Sequence, residues 1–395
     1  GRVRTDPHAT FREVHEVLIA PFREAVLEAG VLGLMSSYND YNGIPVSASR
    51  YFLTELLRDE WGFKGYIVSD SGAVEDLINR HAITDSLKEC VYQTVMAGLN
   101  VRTDFNPPGT FVKPLRELVA EGRIPGSVID ERVRAVLRVK FTVGLFDSPY
   151  VPDPAAADIL VRNEEARALS LEASRKSLVL LKNDGLLPVD PDDVDTILVT
   201  GPNAKAIKPV ISRYGPSDLE VVTLYDGVKE IAGGRAEVLY TPGCDHYDMY
   251  WPENELFDHP ISRQQKKMIM KALEMAKEAD LVIAAVGDDQ NTVGEGRSRT
   301  DLGLPGNQLD LLKALKSTGR PVVAVLINGR PPTVNWANRF VPAIIEAWFP
   351  SEYGGLAIAV KALFMLGLYI VPYLLMVTGV VQSTWAILGC WILMG

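Results

Sequence analysis

The sequence predicts an α/β protein, with alternating strand and helix units in two successive blocks and a hydrophobic tail. Three observations carry this expectation. Apolar runs that end in polar residues alternate with stretches of helical spacing, the rhythm of a parallel sheet with helices outside. The stretch from Gly144 to Pro154 holds three prolines and reads as an extended linker dividing the rhythm in two. From Ala362 to Gly395 there is no charged residue, and residues 362–381 alone are about long enough to cross a bilayer.

In chain order, residues 11–29 space their apolar side chains as a helix does and stop at Gly30. Residues 31–35 form a short strand that runs into Ser36-Ser37-Tyr38-Asn39-Asp40, and residues 50–61 are amphipathic and helical. Gly65-Tyr66-Ile67-Val68-Ser69-Asp70 reads as a buried strand broken at Gly72, followed by helices over 74–80 and 86–97. Residues 98–104 read as a third strand with a polar end, and helices follow over 112–121 and 129–142. In the second block a helix over 163–176 leads into a strand over 177–183. Further strands are expected at 196–203, 279–287, 321–328 and 342–348, with helices over 264–278 and 307–317.

Composition excludes several classes. Of the 395 residues 47% are apolar and 23% charged, which places the chain among globular proteins rather than disordered ones. The net charge of −10 and the absence of a basic stretch argue against nucleic acid as a partner. Three scattered cysteines, Cys90, Cys244 and Cys390, make neither a disulfide framework nor a metal spacing. Five histidines without close spacing argue against a metal site, and His8 and His15 read as surface or core residues. No P-loop, HExxH, CxxC or Gly-x-Ser-x-Gly elbow is present, and Gly201-Pro202-Asn203-Ala204 is not a dinucleotide fingerprint, so no cofactor is expected. The first eight residues carry no initiator Met, basic region or apolar core of a signal peptide, so the chain reads as starting inside a longer protein.

Two carboxylates stand out. Asp70 closes an apolar strand, a position that costs free energy unless partners satisfy the charge. Its plain alternative is a loop Asp capping the helix over 74–80. Glu295 lies in the polar loop Val293-Gly294-Glu295-Gly296-Arg297-Ser298-Arg299-Thr300-Asp301 after the apolar run 279–287. Its plain alternative is a solvated Glu paired with Arg297 or Arg299. Cleavage of a glycosidic bond needs two carboxyl groups in different environments, one to attack or activate water and one to protonate the leaving oxygen.

At these residues the sequence resembles glycoside hydrolase family 3, the bacterial periplasmic β-glucosidase/β-xylosidase type. The resemblance rests on Met35-Ser36-Ser37-Tyr38-Asn39, Gly62-Phe63-Lys64-Gly65-Tyr66-Ile67-Val68-Ser69-Asp70, Gly144-Leu145-Phe146-Asp147, Leu180-Leu181-Lys182-Asn183-Asp184-Gly185-Leu186-Leu187-Pro188 and Leu302-Gly303-Leu304-Pro305-Gly306-Asn307-Gln308, in the family's order. It implies the C-terminal part of a (β/α)8-like barrel over residues 1–145, a linker over 146–162 and an α/β sandwich domain over 163–359, while the uncharged apolar run, a departure from the family, reads as a hydrophobic tail and transmembrane hairpin over 360–395. It implies a retaining exo-acting β-glycosidase with Asp70 as nucleophile and Glu295, from the second domain, as acid/base. Met35 and Tyr38 match residues lining the sugar subsite, and a Tyr38 hydrogen bond to the Asp70 carboxylate would keep it ionised. Ser71 stands where many members carry Trp, and Arg213 and Tyr214 are expected to reach the site from the second domain. The implied substrate is an oligosaccharide or an aryl or alkyl β-glycoside, and the implied setting is periplasmic or secreted.

Two departures frame the alternative. The family's sugar-gripping Lys-His pair and its first barrel strands would lie upstream of Gly1. Leu368-Tyr369-Ile370-Val371-Pro372-Tyr373-Leu374-Leu375 and Trp391-Ile392-Leu393-Met394-Gly395 loosely resemble the first membrane helices of bacterial fatty-acid desaturases, which suggests a junction near residue 360. The rival reading is therefore an inactive truncated or chimeric remnant, at most a membrane-tethered carbohydrate-binding fragment. A nucleotide-binding α/β module is the third reading.

Overall fold

The computed structural model describes residues 5–211, 214–215 and 219–363. The chain divides into two compact units, Gly1–Pro154 and Ala155–Gly395.

In the first unit, strand β1 (Gly33–Ser36) is followed by the two-residue strands β2 (Asp40–Tyr41) and β3 (Ile44–Pro45), which pair as a hairpin, and then by β4 (Tyr66–Ser69). β1 and β4 are parallel, with Met35 opposite Val68 and Ser36 opposite Ser69. The third expected strand, 98–104, shrinks to one parallel bridge between Val101 and Val68. The reason is local. The Asn100 side chain takes the Ile67 N–H at 2.8 Å, and the Ser69 hydroxyl takes the Thr103 N–H at 2.9 Å, so side chains occupy ladder positions on both flanks of Val101.

Helices Leu87–Ala97, Gly109–Ala120 and Gly126–Thr142 match the expected positions to within a few residues. The helix expected over 11–29 is instead broken into Phe11–Glu13, Val14–Leu18 and Ala20–Leu27, with Pro21 at the start of the last piece. Ile67, Leu77, Cys90 and Leu99 are buried together behind β4. That burial pins the strand, at about 1.5–3 kcal/mol for each large apolar side chain.

The second unit is built on one six-stranded sheet. Its strands are β5 (Val179–Asn183), β6 (Thr196–Thr200), β7 (Glu237–Thr241), β8 (Leu281–Gly287), β9 (Val322–Ile327) and β10 (Ala343–Glu346). They lie in the order β5-β10-β9-β8-β6-β7, all parallel except β5, which runs antiparallel to β10. β8, β9 and β10 are buried along their whole length, which is why they read as unbroken apolar runs.

Two cores flank the sheet. Ile283 and Ala285 pack on the face covered by helices Leu224–Ala232 and Gly354–Leu363, while Val282, Ala284 and Val286 pack on the face covered by Arg263–Glu278 and Gln308–Ser317. The sheet is therefore doubly wound. Strand β7 and the helix before it had no counterpart in the sequence reading. A capping box of Thr223 and Asp226 starts that helix, and Gly233 in the left-handed region ends it.

Helix Gly354–Leu363 runs through position 360, where the sequence reading starts its apolar tail, and Ala362 and Leu363 are buried in the core of this unit. Lys361 Nζ donates to the Leu178 carbonyl at 2.9 Å, and Val189 N–H donates to the Ala362 carbonyl at 3.1 Å. Residues 364–395, and with them the expected transmembrane hairpin, lie outside the described residues. Among the described residues no helix is long and apolar enough to cross a membrane. The segment expected as a linker over 146–162 contains one short helix, Ala156–Leu160.

Candidate active site

Asp70 sits immediately after β4, half-buried. Its Oδ1 accepts the Ser71 N–H at 2.6 Å and its carbonyl accepts the Ala73 N–H at 3.1 Å. The next regular helix begins at Asp76 with Glu75 as its cap, so the Asp70 carboxylate does not serve as that helix's N-cap. Tyr38, carried by the loop after β1, comes beside it. Its single hydroxyl proton goes to the Ser71 carbonyl at 2.9 Å, one residue past the carboxylate expected to receive it. Tyr38 is thus tied to the backbone of the Asp70 loop. His81 Nε2 lies 2.9 Å from the Tyr38 carbonyl and holds the loop from its other side.

A cleft of about 540 Å³ opens at this point within the first unit, and Met35, Ser36, Tyr38 and Asp70 are among its lining residues. Its remaining wall is largely apolar, with Leu18, Phe22 and Leu34 prominent. Met35 is 57% exposed, so its thioether stem is available to a ligand in that cleft. The structure therefore groups Met35, Tyr38 and Asp70 on one cavity and bonds Ser71 to Tyr38.

Glu295 and Tyr214 meet in the second unit, where the Tyr214 hydroxyl lies 2.7 Å from Glu295 Oε2. Arg213 lies outside the described residues. The sheet order explains the position of the Glu295 loop. β6 and β8 are adjacent, but the chain runs from β6 out to β7 before returning to β8, so the connections diverge between these two strands. Open α/β sheets bind ligands beyond the strand C-termini at such a switch point. The loop carrying Glu295 leaves the sheet there, from the end of β8.

Several buried polar groups shape this edge. Asn203, fully buried after β6, donates to the Asp288 and Ile327 carbonyls at 3.3 and 3.2 Å and lies 2.6 Å from His246 Nε2. Burial pushes the His246 imidazole down from its usual value, against the opposing pull of Asp289, Asp245 and Asp288. Burial likewise pushes the Asp288 carboxyl up, against the Thr292 hydroxyl and the Arg299 and Arg330 cations.

The loop itself has a defined course. Asp289 Oδ1 accepts the Asn291 and Thr292 N–H groups at 2.8 and 3.1 Å, and Thr292 Oγ1 donates to Asp288 Oδ1 at 2.9 Å. A turn closed by Arg297 N–H to Gly294 O at 3.1 Å places Glu295 and Gly296 at its two central positions. The φ of 69° at Gly296 is one that glycine adopts freely. Arg299, at 3% side-chain exposure, pairs with Glu255 and lies 3.6 Å from Asp288. Its guanidinium is engaged with those two carboxylates. Burial works to raise the Glu255 carboxyl, but the Thr300 N–H, the Arg299 guanidinium and the Thr300 hydroxyl together hold it below the usual range.

Sequence reasoning did not single out Glu255, Asn203 as a side-chain hub, or Arg330. The Asn328-Gly329-Arg330-Pro331 turn after β9 was the available signal for the last of these, since a cation in a Gly-Pro turn beyond a buried strand lies at the edge where parallel sheets carry function.

A strand-tip carboxylate in a parallel-stranded unit, followed by a doubly wound unit with a glutamate loop at its switch point, defines a two-unit α/β protein. The chain belongs to glycosyl hydrolase family 3. The family's N-terminal domain matches residues 3–139 and its C-terminal domain matches residues 178–364. It is 33% identical over 360 residues to a β-xylosidase of Formosa agariphila, covering 88% of this chain and 47% of that protein. It is 36% identical over 355 residues to a periplasmic β-glucosidase of Salmonella typhimurium, covering 86% and 45% respectively. The solved structure of a β-glucosidase from Erythrobacter marinus superposes with a TM-score of 0.77 at 32% identity, covering 87% of this chain and 47% of that one. The chain spans about half the length of the relatives it matches.

Proposed function

We propose that this chain carries the nucleophile and the acid/base of a retaining, exo-acting β-glycosidase that removes terminal non-reducing β-D-glycosyl residues. The observation that carries the reading is Asp70, a carboxylate held by the Ser71 N–H at the tip of β4 and open to a cleft lined by Met35 and Tyr38. In this reading Asp70 attacks the anomeric carbon while Glu295 gives its proton to the departing oxygen. The C–O bond breaks and a glycosyl ester forms on Asp70. Glu295, now a carboxylate, takes a proton from water as that water attacks the same carbon, and Asp70 leaves.

Relatives named β-glucosidase and β-xylosidase support an oligosaccharide or an aryl or alkyl β-glycoside as substrate. Likeness to a periplasmic relative supports a periplasmic or secreted setting. Residues 364–395 play no part in this reading.

The test is covalent trapping. The full chain is incubated with the 2,4-dinitrophenyl glycoside of 2-deoxy-2-fluoro-β-D-glucose, whose fluorine slows release of the glycosyl ester, and digested for peptide mass analysis. The expected result is a label on Asp70 that is absent from Asp70→Asn. A chain that binds the sugar reversibly without labelling would overturn the reading in favour of a carbohydrate-binding fragment, and a label on another residue would move the nucleophile.

A further inference from the structure

We propose that Arg330 is a positioning residue for Glu295, clamping the two ends of the turn that presents it. The inference rests on the reading of Glu295 as acid/base and adds to it the group that holds the acid in place. Arg330 lies in the turn after β9, more than thirty positions along the chain from the Glu295 loop, and reaches it with one nitrogen. Nη2 donates to the Thr292 carbonyl at 2.8 Å and to the Arg297 carbonyl at 2.7 Å. These carbonyls lie three residues before and two residues after Glu295. One cationic donor therefore spans both legs of the turn. Two charge-assisted hydrogen bonds from a planar guanidinium fix direction as well as distance, which a flexible ammonium does less well.

Other contacts close off the alternatives for this segment. Beyond the clamp, Arg299 pairs with Glu255, and Glu255 Oε2 accepts the Thr300 N–H at 2.8 Å, so the outgoing leg is tied down again. Before the clamp, Asp289 and Thr292 bond each other through side chain and backbone. Residues 293–296 form the short arc between these ties, and Glu295 sits within it with its Oε2 2.7 Å from the Tyr214 hydroxyl. A general acid works only within hydrogen-bond reach of the proton's destination, so the geometry of that arc becomes the geometry of proton transfer.

Two measurements on the full chain test the clamp, with Arg330→Gln and Arg330→Lys as the variants. Hydrogen exchange is read over peptides covering 289–300. In Arg330→Gln the Thr292, Val293 and Arg297 amides are expected to exchange roughly 10-fold faster, with β8 and β9 unchanged. Equal exchange in variant and parent overturns the clamp whatever the role of Glu295. The lysine variant, which keeps the charge but loses the planar guanidinium, is expected to fall between, and it carries the test if the glutamine variant does not fold.

The second readout is leaving-group dependence. Phenyl β-glucoside needs protonation of its leaving oxygen and the 2,4-dinitrophenyl glucoside does not. For Arg330→Gln, kcat/KM is expected to drop about 10-fold or more on the first and to stay within about 2-fold on the second, with partial recovery in Arg330→Lys. An equal loss on both substrates would make Arg330 a merely structural residue and overturn positioning. Glu295→Gln is the reference. If it shows no leaving-group dependence, the acid assignment fails, while the exchange result still decides whether the clamp exists.

Discussion

Gly287, the last residue of β8, sets the direction in which the Glu295 loop leaves the sheet, and Gly287→Ala should be severe. Its φ is 134°, outside what an L side chain adopts comfortably. A Cβ built there falls 2.1 Å from the Ile327 carbonyl oxygen and 2.7 Å from its carbon on the neighbouring strand β9. That is about 1.2–1.5 Å inside an ordinary C···O contact. Relief requires prising β8 from β9, and the adjacent Asp288 N–H to Ile327 O bond of 2.9 Å lies in the way. Backbone strain of about 1–3 kcal/mol and overpacking of about 1–3 kcal/mol sum to about 2–6 kcal/mol, a large part of an ordinary domain's stability of about 5–15 kcal/mol. The comparison is Gly319→Ala. Gly319 has a φ of 78° with nothing within 4 Å of the added Cβ, so it reports the backbone contribution alone, about 1–2 kcal/mol. Urea unfolding of the full chain, followed by tryptophan emission, measures both. A Gly287→Ala midpoint as high as that of Gly319→Ala would refute the collision argument.

Three further outcomes are expected. Tyr38→Phe removes the 2.9 Å bond to the Ser71 carbonyl and should cost the first unit about 1 kcal/mol, read as a lower unfolding midpoint. Because burial lowers the His246 pKa, folding favours its neutral form. That contribution is complete above the unfolded histidine pKa, near 6.5, and is lost as pH falls from there through the folded value, so the second unit should lose stability on acidification and His246→Gln should flatten that part of the profile. The Glu255 pKa is lowered too, but against burial, by its hydrogen bonds and Arg299. Its carboxyl is held below the usual glutamate range, so its pairing with Arg299 should survive acidification through that range and fail only below it, when exchange over 297–301 accelerates; Glu255→Gln should remove that acid transition.

Much of the architecture was open to inspection in the residues. Ile67 and the apolar neighbours around it read as a buried strand, and the charge that follows at Asp70 needed partners. β8 and β9 advertise a parallel sheet because both faces of each strand are covered. The region from 204 to 263 was silent as to strands and helices, because β7 is short and only partly buried and its helix is announced by capping residues, not by length. The supports of Glu295 were silent for a different reason. Arg330 to Thr292 and Arg299 to Glu255 are contacts between residues 38 and 44 positions apart, and no local periodicity encodes them. Tyr38 shows the limit of pairing by resemblance: its hydroxyl proton goes to a backbone carbonyl, which a side-chain motif does not reveal.

The antiparallel edge strand also orders events in time. β5 is the first strand of the second unit to be synthesised, yet its only sheet partner is β10, the last, and the Asp184 N–H waits for the Pro342 carbonyl at 2.8 Å. The helix preceding β5 and the helix Gly354–Leu363 are joined in the same way by Lys361 and the Leu178 carbonyl. An early strand with no near partner exposes its backbone edge throughout elongation. Closure of such a long loop makes completion slow relative to local helix formation. Assembly of this unit is therefore expected to finish only after residue 363 has cleared the ribosome, and the interval before that is when the chain depends most on protection from aggregation.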